Sequence, residues 1–339
     1  MNHILSDDID FIFNQLKELT DLSLLNNKNI FITGGTGLFG KSILNILIHI
    51  KKFYNFRITV LTRDINSFIS HYPEYNLNYI NFIQGDIRNF QYNGQDFDYI
   101  IHAATPASAK LEEENPNEMY SIALEGTKKI IELTKKMNIE KLLFTSSGAI
   151  YGNQPNELDC INEEYEGNPI TYYGKAKKIS EQLLLESDIN VTIARCFAFV
   201  GPYLNLNIHF AIGNFIKNVI NNEDIVIKGD GRPLRTYLYT ADLIIWLLTM
   251  LLKANNKSIY NVGSSNEISI YNLAKKVSNC MKGYKKNINI LTEPNYNKPT
   301  QKYIPNNTKI IKELYVKENF DLETSIKRTI KYNLDIKGK

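Results

Sequence analysis

Ile30-Phe31-Ile32-Thr33-Gly34-Gly35-Thr36-Gly37-Leu38-Phe39-Gly40 is the stretch on which the fold turns. Ile30–Thr33 is a short apolar run ending at glycines, which reads as a buried strand. From Lys41 to Lys52 the apolar residues recur as in a helix. A glycine turn between strand and helix has one well-understood use. Gly34 permits the tight turn, Gly37 lets backbone approach a pyrophosphate, and Gly40 packs helix against strand. The helix N-terminus then presents unpaired N–H groups to the phosphates, so Gly34, Gly37, Leu38, Phe39 and Gly40 are candidate cofactor residues.

Outward from this stretch, strand and helix patterns alternate. Arg57–Leu61, Tyr79–Ile83, Tyr99–Ala103, Lys141–Thr145, Val191–Phe197 and Ser258–Val262 read as strands. Glu118–Met137, Lys175–Glu186 and Tyr239–Leu252 read as helices, and a turn is expected at Pro106. Such alternation predicts βαβ units and a Rossmann-like, doubly wound parallel sheet covered by helices on both faces. Before it, Asp8–Leu25 carries Ile9, Ile12, Phe13, Leu16 and Leu19 near helical spacing, so residues 1–28 read as a helical extension. After Gly201-Pro202 the pattern loosens, with a short strand at Asp224–Lys228, and from Asn266 on it reads as helical. The expected organisation is a cofactor domain of residues 29–199 plus 237–263. A smaller, discontinuous substrate domain takes 200–236 plus 264–339.

Composition excludes several classes. The chain has 339 residues, 43% hydrophobic and 22% charged, which is ordinary for a globular protein. A net charge of +3, with basic residues spread along the chain, argues against nucleic acid as a partner. Cys160, Cys196 and Cys280 form no C-x-x-C pair, so neither a zinc site nor a disulfide framework is expected. Asp7, Asp8 and Asp10 precede any apolar run, unlike a signal peptide. The apolar runs Ile43–Ile50 and Leu243–Leu252 fall short of the ~20 residues of a membrane helix. The expectation is a cytoplasmic protein without a membrane partner.

The end of the second strand sets the cofactor. An acid there would accept from the ribose hydroxyls of NAD, whereas an arginine would meet the phosphate of NADP. Thr62 stands at that position and Arg63 follows it, which favours NADP(H) over NAD(H). The alternative has Asp64 reaching back to the ribose.

Thr145-Ser146-Ser147-Gly148-Ala149-Ile150-Tyr151-Gly152 and Tyr173-Gly174-Lys175-Ala176-Lys177 carry a resemblance. With Gly85-Asp86-Ile87, His102-Ala103-Ala104, Gly201-Pro202 and Tyr260-Asn261-Val262-Gly263 in order, the chain resembles the extended short-chain dehydrogenase/reductases that act on nucleotide-diphosphate sugars. The resemblance runs from about Asn29 to the late 200s. It implies Ser147, Tyr173 and Lys177 as catalytic residues. Tyr173 would exchange a proton with the sugar oxygen, and Lys177, one helical turn on, would together with the cationic nicotinamide favour the tyrosinate. Ser147, 26 residues before Tyr173, would bond the same oxygen.

The resemblance further places Asp86 and Ile87 at the adenine, Ala103, Ala104 and Thr105 at the cofactor phosphates or ribose, and Tyr173 and Lys177 beside the cofactor. It places Asn214 and Ser147 at the nucleotide sugar and Arg235 at its diphosphate, with Lys302 as an added phosphate contact. His209 reads as a loop histidine. A homodimer through a four-helix contact of Glu118–Met137 and Lys175–Glu186 is implied as well.

Departures narrow the chemistry. Dehydratases of this kind carry Asp-Glu after the Ser/Thr, and the UDP-glucuronate decarboxylases a Glu; here Gly148-Ala149 can transfer no proton. Ala123 and Ala198 replace asparagines found in many members. The expected activity is oxidoreduction at C4 without elimination, as a 4-keto sugar reductase or a 4-epimerase. Glu157, Asp159, Glu163 and Glu164, in the following loop, are expected to face solvent. A catalytically silent NADP-binding sensor is the rival, but it would need no Ser–Tyr–Lys set.

Overall fold

The computed structural model describes residues 2–105, 109–207 and 210–338. The expected turn at Pro106 and the expected loop histidine His209 fall outside them. Within them, β1 (Lys28–Thr33), β2 (Phe56–Thr62), β3 (Ile80–Gln84), β4 (Tyr99–His102), β5 (Lys141–Ser147), β6 (Val191–Cys196) and β7 (Ser258–Val262) form one sheet. Its order is β7-β6-β5-β4-β1-β2-β3, and every pairing is parallel. The doubly wound, Rossmann-like architecture is therefore present. The strand order reverses between β1 and β4, and open α/β sheets bind ligands at that crevice.

Alternation along the strands explains why both faces are covered. Ile30 and Ile32 of β1, Ile58 and Val60 of β2 and Ile101 of β4 pack on one face. They meet α1 (His3–Leu19), α2 (Leu38–Ile50) and, further along in sequence, the helix Thr240–Lys253. Phe31, Ile100, Leu142 and Phe144 point to the other face, against Ile122, Ile130 and Leu184. These side chains come from the helices Pro116–Thr134 and Tyr172–Glu186. In chain order the remaining helices are named α3 (Ile65–His71), α4 (Ala109–Glu114), α5 (Pro116–Thr134), α6 (Tyr172–Glu186), α7 (Ala211–Asn221), α8 (Thr240–Lys253), α9 (Ile270–Asn279), α10 (Thr308–Leu314) and α11 (Leu322–Lys337).

The N-terminal extension differs from its expected bounds. Asn2 caps α1 by accepting from the Ile4 N–H, and the helix stops at Thr20, which is extended. Asp21 then caps a separate helical turn, Leu22–Leu25. Helix α1 is also part of the core: Ile9, Ile12, Phe13 and Leu16 are buried against α2 and α8. Asp8 accepts from the Tyr239 hydroxyl at 2.7 Å and from Arg328 of α11 at 2.6 Å.

Past Gly201 the chain is more regular than its sequence suggested. Helix α7 lies where the pattern looked loose, and its Ile212, Phe215, Ile216 and Val219 build a third cluster with Leu273, Val277, Ile326 and Ile330. Conversely, the region from Asn266 is helical only in α9, α10 and α11. Pro294, Pro299 and Pro305 interrupt helix formation between α9 and α10, because proline lacks the N–H and clashes with the preceding turn. Short strands replace it there: Lys302–Tyr303 runs parallel to Leu234–Arg235, which also pairs antiparallel with Ile268–Ser269.

Candidate active site

The glycine turn lies at the crevice between β1 and β4. Gly34 has φ +73°, and a Cβ there would sit 2.5 Å from the Ala103 carbonyl oxygen. At Gly40 a Cβ would fall 2.2 Å from Gly35 Cα, so the helix packs directly on the turn. Gly37 is the N-cap of α2 and offers no side chain to the first N–H groups. These donors, open toward the crevice, fit the pyrophosphate of a dinucleotide. Leu38 and Phe39 form the first turn.

A buried polar chain holds the opposite wall. Thr127 donates to the Ala123 carbonyl, so it must accept from His102 Nε2–H. The other ring nitrogen, Nδ1, then accepts from Thr33 Oγ1 at 2.8 Å. Thr33 Oγ1 in turn accepts from the N–H groups of Ala103 and Ala104, both at 3.2 Å. Burial drives the His102 pKa down to about 3, with Lys177 adding to the effect. His102 is thus a neutral strut that fixes the backbone of Ala103-Ala104-Thr105 beside the glycine turn.

Toward the adenosine end, Thr62 is buried at the end of β2 and Arg63 is exposed. Asp64 caps α3 by accepting from the Ser67 N–H at 2.8 Å. Asp86 accepts from Arg88 at 2.7 and 2.8 Å, and Arg88 also bonds Glu118. Those bonds, with Arg63 also contributing, hold the Asp86 carboxyl below its usual range. Ile87 is buried and packs against Gly126. Arg88 went unnoticed in the sequence, where an arginine two residues after an aspartate carries no signal.

Ser147, Tyr173 and Lys177 come together at the ends of β5 and α6. Ser147 ends β5, and its Oγ accepts from the Ala149 N–H at 3.1 Å. Thr171 caps α6 by accepting from Gly174. Glu112 of α4 accepts from the N–H groups of Tyr172 at 2.6 Å and Tyr173 at 3.1 Å, a contact the sequence did not reveal. Lys177 is 2% exposed, donates to the Thr145 carbonyl at 2.7 Å and lies over the Phe144 ring.

Burial brings the Lys177 ammonium down to about 7, against the pull of Cys196 and Glu181. Burial likewise pushes the Tyr173 phenol up to about 12, opposed by its hydrogen bond with Ser147. The lowering expected for Tyr173 was for Lys177 and the cationic nicotinamide together; the chain's own groups raise it. The difference arises because Lys177 is committed to Thr145 and lies 5.9 Å from the Tyr173 ring centroid, too far to offset desolvation.

Of the expected substrate residues, Arg235 is half-buried and donates to the carbonyls of Leu234 and Gln301. Desolvation presses its pKa downward, which favours an anionic partner. Asn214 sits in the first turn of α7. Lys302 does not join Arg235. It is in register with Leu234, so strand alternation turns it to the opposite face, where it pairs with Asp159 at 3.1 Å. In its place Tyr303, in register with Arg235, packs on Phe197 and brings its hydroxyl beside Gly148.

Among the loop carboxylates, Glu157, Asp159 and Glu164 are exposed as expected, but Glu163 turns inward. It accepts from the Asn261 N–H at 2.8 Å. Ala123 is buried between α5 and α6, and Ala198 is half-buried.

The profile of the NAD dependent epimerase/dehydratase family matches residues 30–263, and the chain belongs to that family. It is 28% identical to a putative UDP-glucose 4-epimerase of Methanocaldococcus jannaschii over 89% of this chain and 97% of that one. It is 29% identical to UDP-glucuronic acid decarboxylase 1 of Xenopus tropicalis over 76% of this chain, which spans 61% of that relative's length. Among solved structures, UDP-glucose 4-epimerase of Thermotoga maritima with UDP-glucose superposes with a TM-score of 0.78 at 23% identity, over 91% of this chain and 99% of that one. RMD of Pseudomonas aeruginosa complexed with NADPH gives 0.74 at 19%, over 92% and 100%. These structural likenesses concern the fold.

Proposed function

We propose that this protein catalyses NAD(P)-dependent oxidoreduction at C4 of a nucleotide-diphosphate sugar, as a 4-keto sugar reductase that uses NADP(H). The observation that carries the reading is Ser147 beside Tyr173 and Lys177, followed by Gly148-Ala149, where no side chain can transfer a proton. When bound, the nicotinamide supplies or accepts hydride. Tyr173 holds the proton that moves to or from the sugar oxygen, and Ser147 orients that oxygen. Lys177, held by the Thr145 carbonyl and brought down to about 7 by burial, lies one helical turn beyond Tyr173.

The turn Gly34–Gly40 binds the pyrophosphate. Arg63, exposed and free of the capping work done by Asp64, reads the 2′-phosphate. Arg235 and Asn214, on residues 200–236, hold the nucleotide-diphosphate end. A second copy packs on α5 and α6, where Tyr172 and Ile179 of α6 are exposed.

A second reading, a 4-epimerase with retained NAD, draws support from the archaeal relative named as an epimerase. An epimerase must keep its cofactor through turnover, whereas a reductase releases oxidised cofactor each cycle. Denaturing the purified protein and quantifying released nucleotide separates them. Little bound nucleotide with NADPH-dependent reduction of a 4-keto sugar is the expected result. Stoichiometric NAD with no NADPH oxidation would replace the reductase by the epimerase.

A further inference from the structure

The first N–H groups of a helix have no partner within it. In α6 they belong to the turn that carries Tyr173. Lys175 is the first residue to bond inside the helix, donating to the Thr171 carbonyl at 3.0 Å. The Thr171 hydroxyl accepts from the Gly174 N–H at 2.9 Å. That leaves the N–H groups of Tyr172 and Tyr173 for a partner outside α6.

Glu112 of α4 takes both. Its Oε1 accepts from the Tyr172 N–H at 2.6 Å and its Oε2 from the Tyr173 N–H at 3.1 Å. Two oxygens of one carboxylate have a fixed separation, so the contact sets the orientation of two successive peptide groups as well as their place. The negative charge also stands at the positive end of α6, where it is favoured. Helix α4 is itself held. The Leu111 carbonyl accepts from the Asn115 N–H at 2.8 Å, and the Asn115 side chain caps α5 by accepting from the Glu118 N–H at 3.2 Å. The carboxylate therefore projects from a helix tied to α5.

The other side of the same turn is closed by packing. A Cβ on Gly174 would stand 2.5 Å from the Ala149 carbonyl oxygen and 3.1 Å from Pro169 Cβ. The α6 backbone thus lies directly on the helical turn Gly148–Tyr151, which Ser147 caps. Glu112 presses the start of α6 onto the turn that Ser147 opens. Lys177 is fixed separately, by its bond to the Thr145 carbonyl.

We propose that Glu112 is a positioning residue that holds the Tyr173 backbone against the Ser147 turn and so fixes where the phenol meets the sugar oxygen. The role rests on the assignment of Tyr173 above and adds to it a residue from another helix. Without the carboxylate both donors must turn to water, and a helix end that loses such a partner frays. A misplacement of about 1 Å can cost on the order of 10²-fold in rate.

The test compares Glu112→Ala and Glu112→Gln with Glu113→Ala, which removes the same charge from an exposed neighbour on the same helix. Isotope labelling of tyrosine nitrogen reports the two N–H groups without any turnover, and Tyr172→Phe and Tyr173→Phe assign their resonances. In Glu112→Ala both amides should exchange with solvent about tenfold faster or more. Glu112→Gln keeps the length and one acceptor, so at least one of the two amides should still exchange faster. Glu113→Ala should leave both unchanged. Unchanged exchange in Glu112→Ala overturns the proposal.

Kinetics with the nucleotide-diphosphate sugar that the protein turns over give the second readout. In Glu112→Ala kcat should fall on the order of 10- to 100-fold with KM within about twofold, because Glu112 acts through backbone rather than on the sugar. Glu112→Gln should lie between that variant and the parent, and Glu113→Ala should match the parent. A loss confined to KM, or an unchanged kcat beside faster exchange, overturns the positioning role. Faster exchange with no turnover of any nucleotide sugar by the parent would instead remove the proposed reaction and support the hold on α6. Should Glu112→Ala fail to fold, Glu112→Gln decides: parental exchange and parental kcat together refute the proposal.

Discussion

Acidification should unfold this protein through His102. The imidazole is 1% exposed, accepts from Thr33 at Nδ1 and stacks on Phe144 at 5.4 Å. Its folded pKa is about 3, lowered by burial first and by Lys177 second. In the unfolded chain a histidine titrates near 6.5. Between those values the unfolded state binds one more proton than the folded state. Stability is therefore complete above about pH 6.5 and is lost as pH falls toward 3.

Taking about 1.4 kcal/mol per pH unit below 6.5, the move from pH 7 to pH 5 should cost about 2 kcal/mol through this group alone. Urea unfolding at the two pH values measures the total. The same pair of measurements on His102→Gln, which keeps a donor toward Thr127, isolates the histidine. That variant is expected to be less stable at pH 7 but to lose about 2 kcal/mol less on acidification. Equal losses in both proteins would refute a neutral, buried His102. Protonation would also displace the Thr33 hydroxyl that anchors Ala103 and Ala104, so cofactor affinity should fall over the same range.

Other outcomes follow from the same geometry. Tyr173→Phe should retain cofactor and nucleotide binding by calorimetry and lose turnover by 10²–10⁴-fold or about that range; an unchanged rate removes Tyr173 from catalysis. Arg63→Ala should weaken NADP(H) relative to NAD(H) by about ten- to hundredfold in titrations, as expected for one charge-assisted contact, and equal losses would show that Arg63 does not read the phosphate. Incubation with several nucleotide-diphosphate hexoses should yield no 4-keto-6-deoxy chromophore in alkali. Its appearance at enzymatic rates would mean that a loop carboxylate, with Glu163 the inward-facing candidate, reaches the ring. Arg195→Met should cost about 3–5 kcal/mol in denaturant unfolding, because it strands the buried Glu181 carboxylate now held by Arg195 at 2.8 Å.

Much of the sheet was legible because its signals are local. Two strands covered by helices on both sides read as apolar runs, and Ile30-Phe31-Ile32 shows why: alternate residues enter different clusters, and both clusters are dry. Glycines at 34, 37 and 40 were legible for a similar reason, since turn, cap and close packing each act within a few residues. Elements with little apolar periodicity were harder to read. Helix α3 has one buried residue, Phe68. Helix α7 does carry a helical stripe, Ile212, Phe215, Ile216 and Val219, but the glycine and asparagines among them obscured it. The N-terminal helix was visible, but its place in the core depends on Asp8 meeting Tyr239 and Arg328 across 231 and 320 residues.

The sequence by itself determined the parallel sheet and the glycine turn that opens α2, and through the family resemblance it pointed to Ser147, Tyr173 and Lys177. Tertiary structure alone decided what surrounds those residues. Lys302 and Tyr303 are neighbours in sequence, yet strand alternation sends one to Asp159 and the other to Phe197 and Gly148. Glu112 arrives from a different helix to hold the first N–H groups of α6. Burial, which no local pattern measures, set the pKa values of His102, Tyr173 and Lys177. Desolvation and long-range hydrogen bonds depend on the packing of segments distant in sequence, and that packing exists only once the chain has folded.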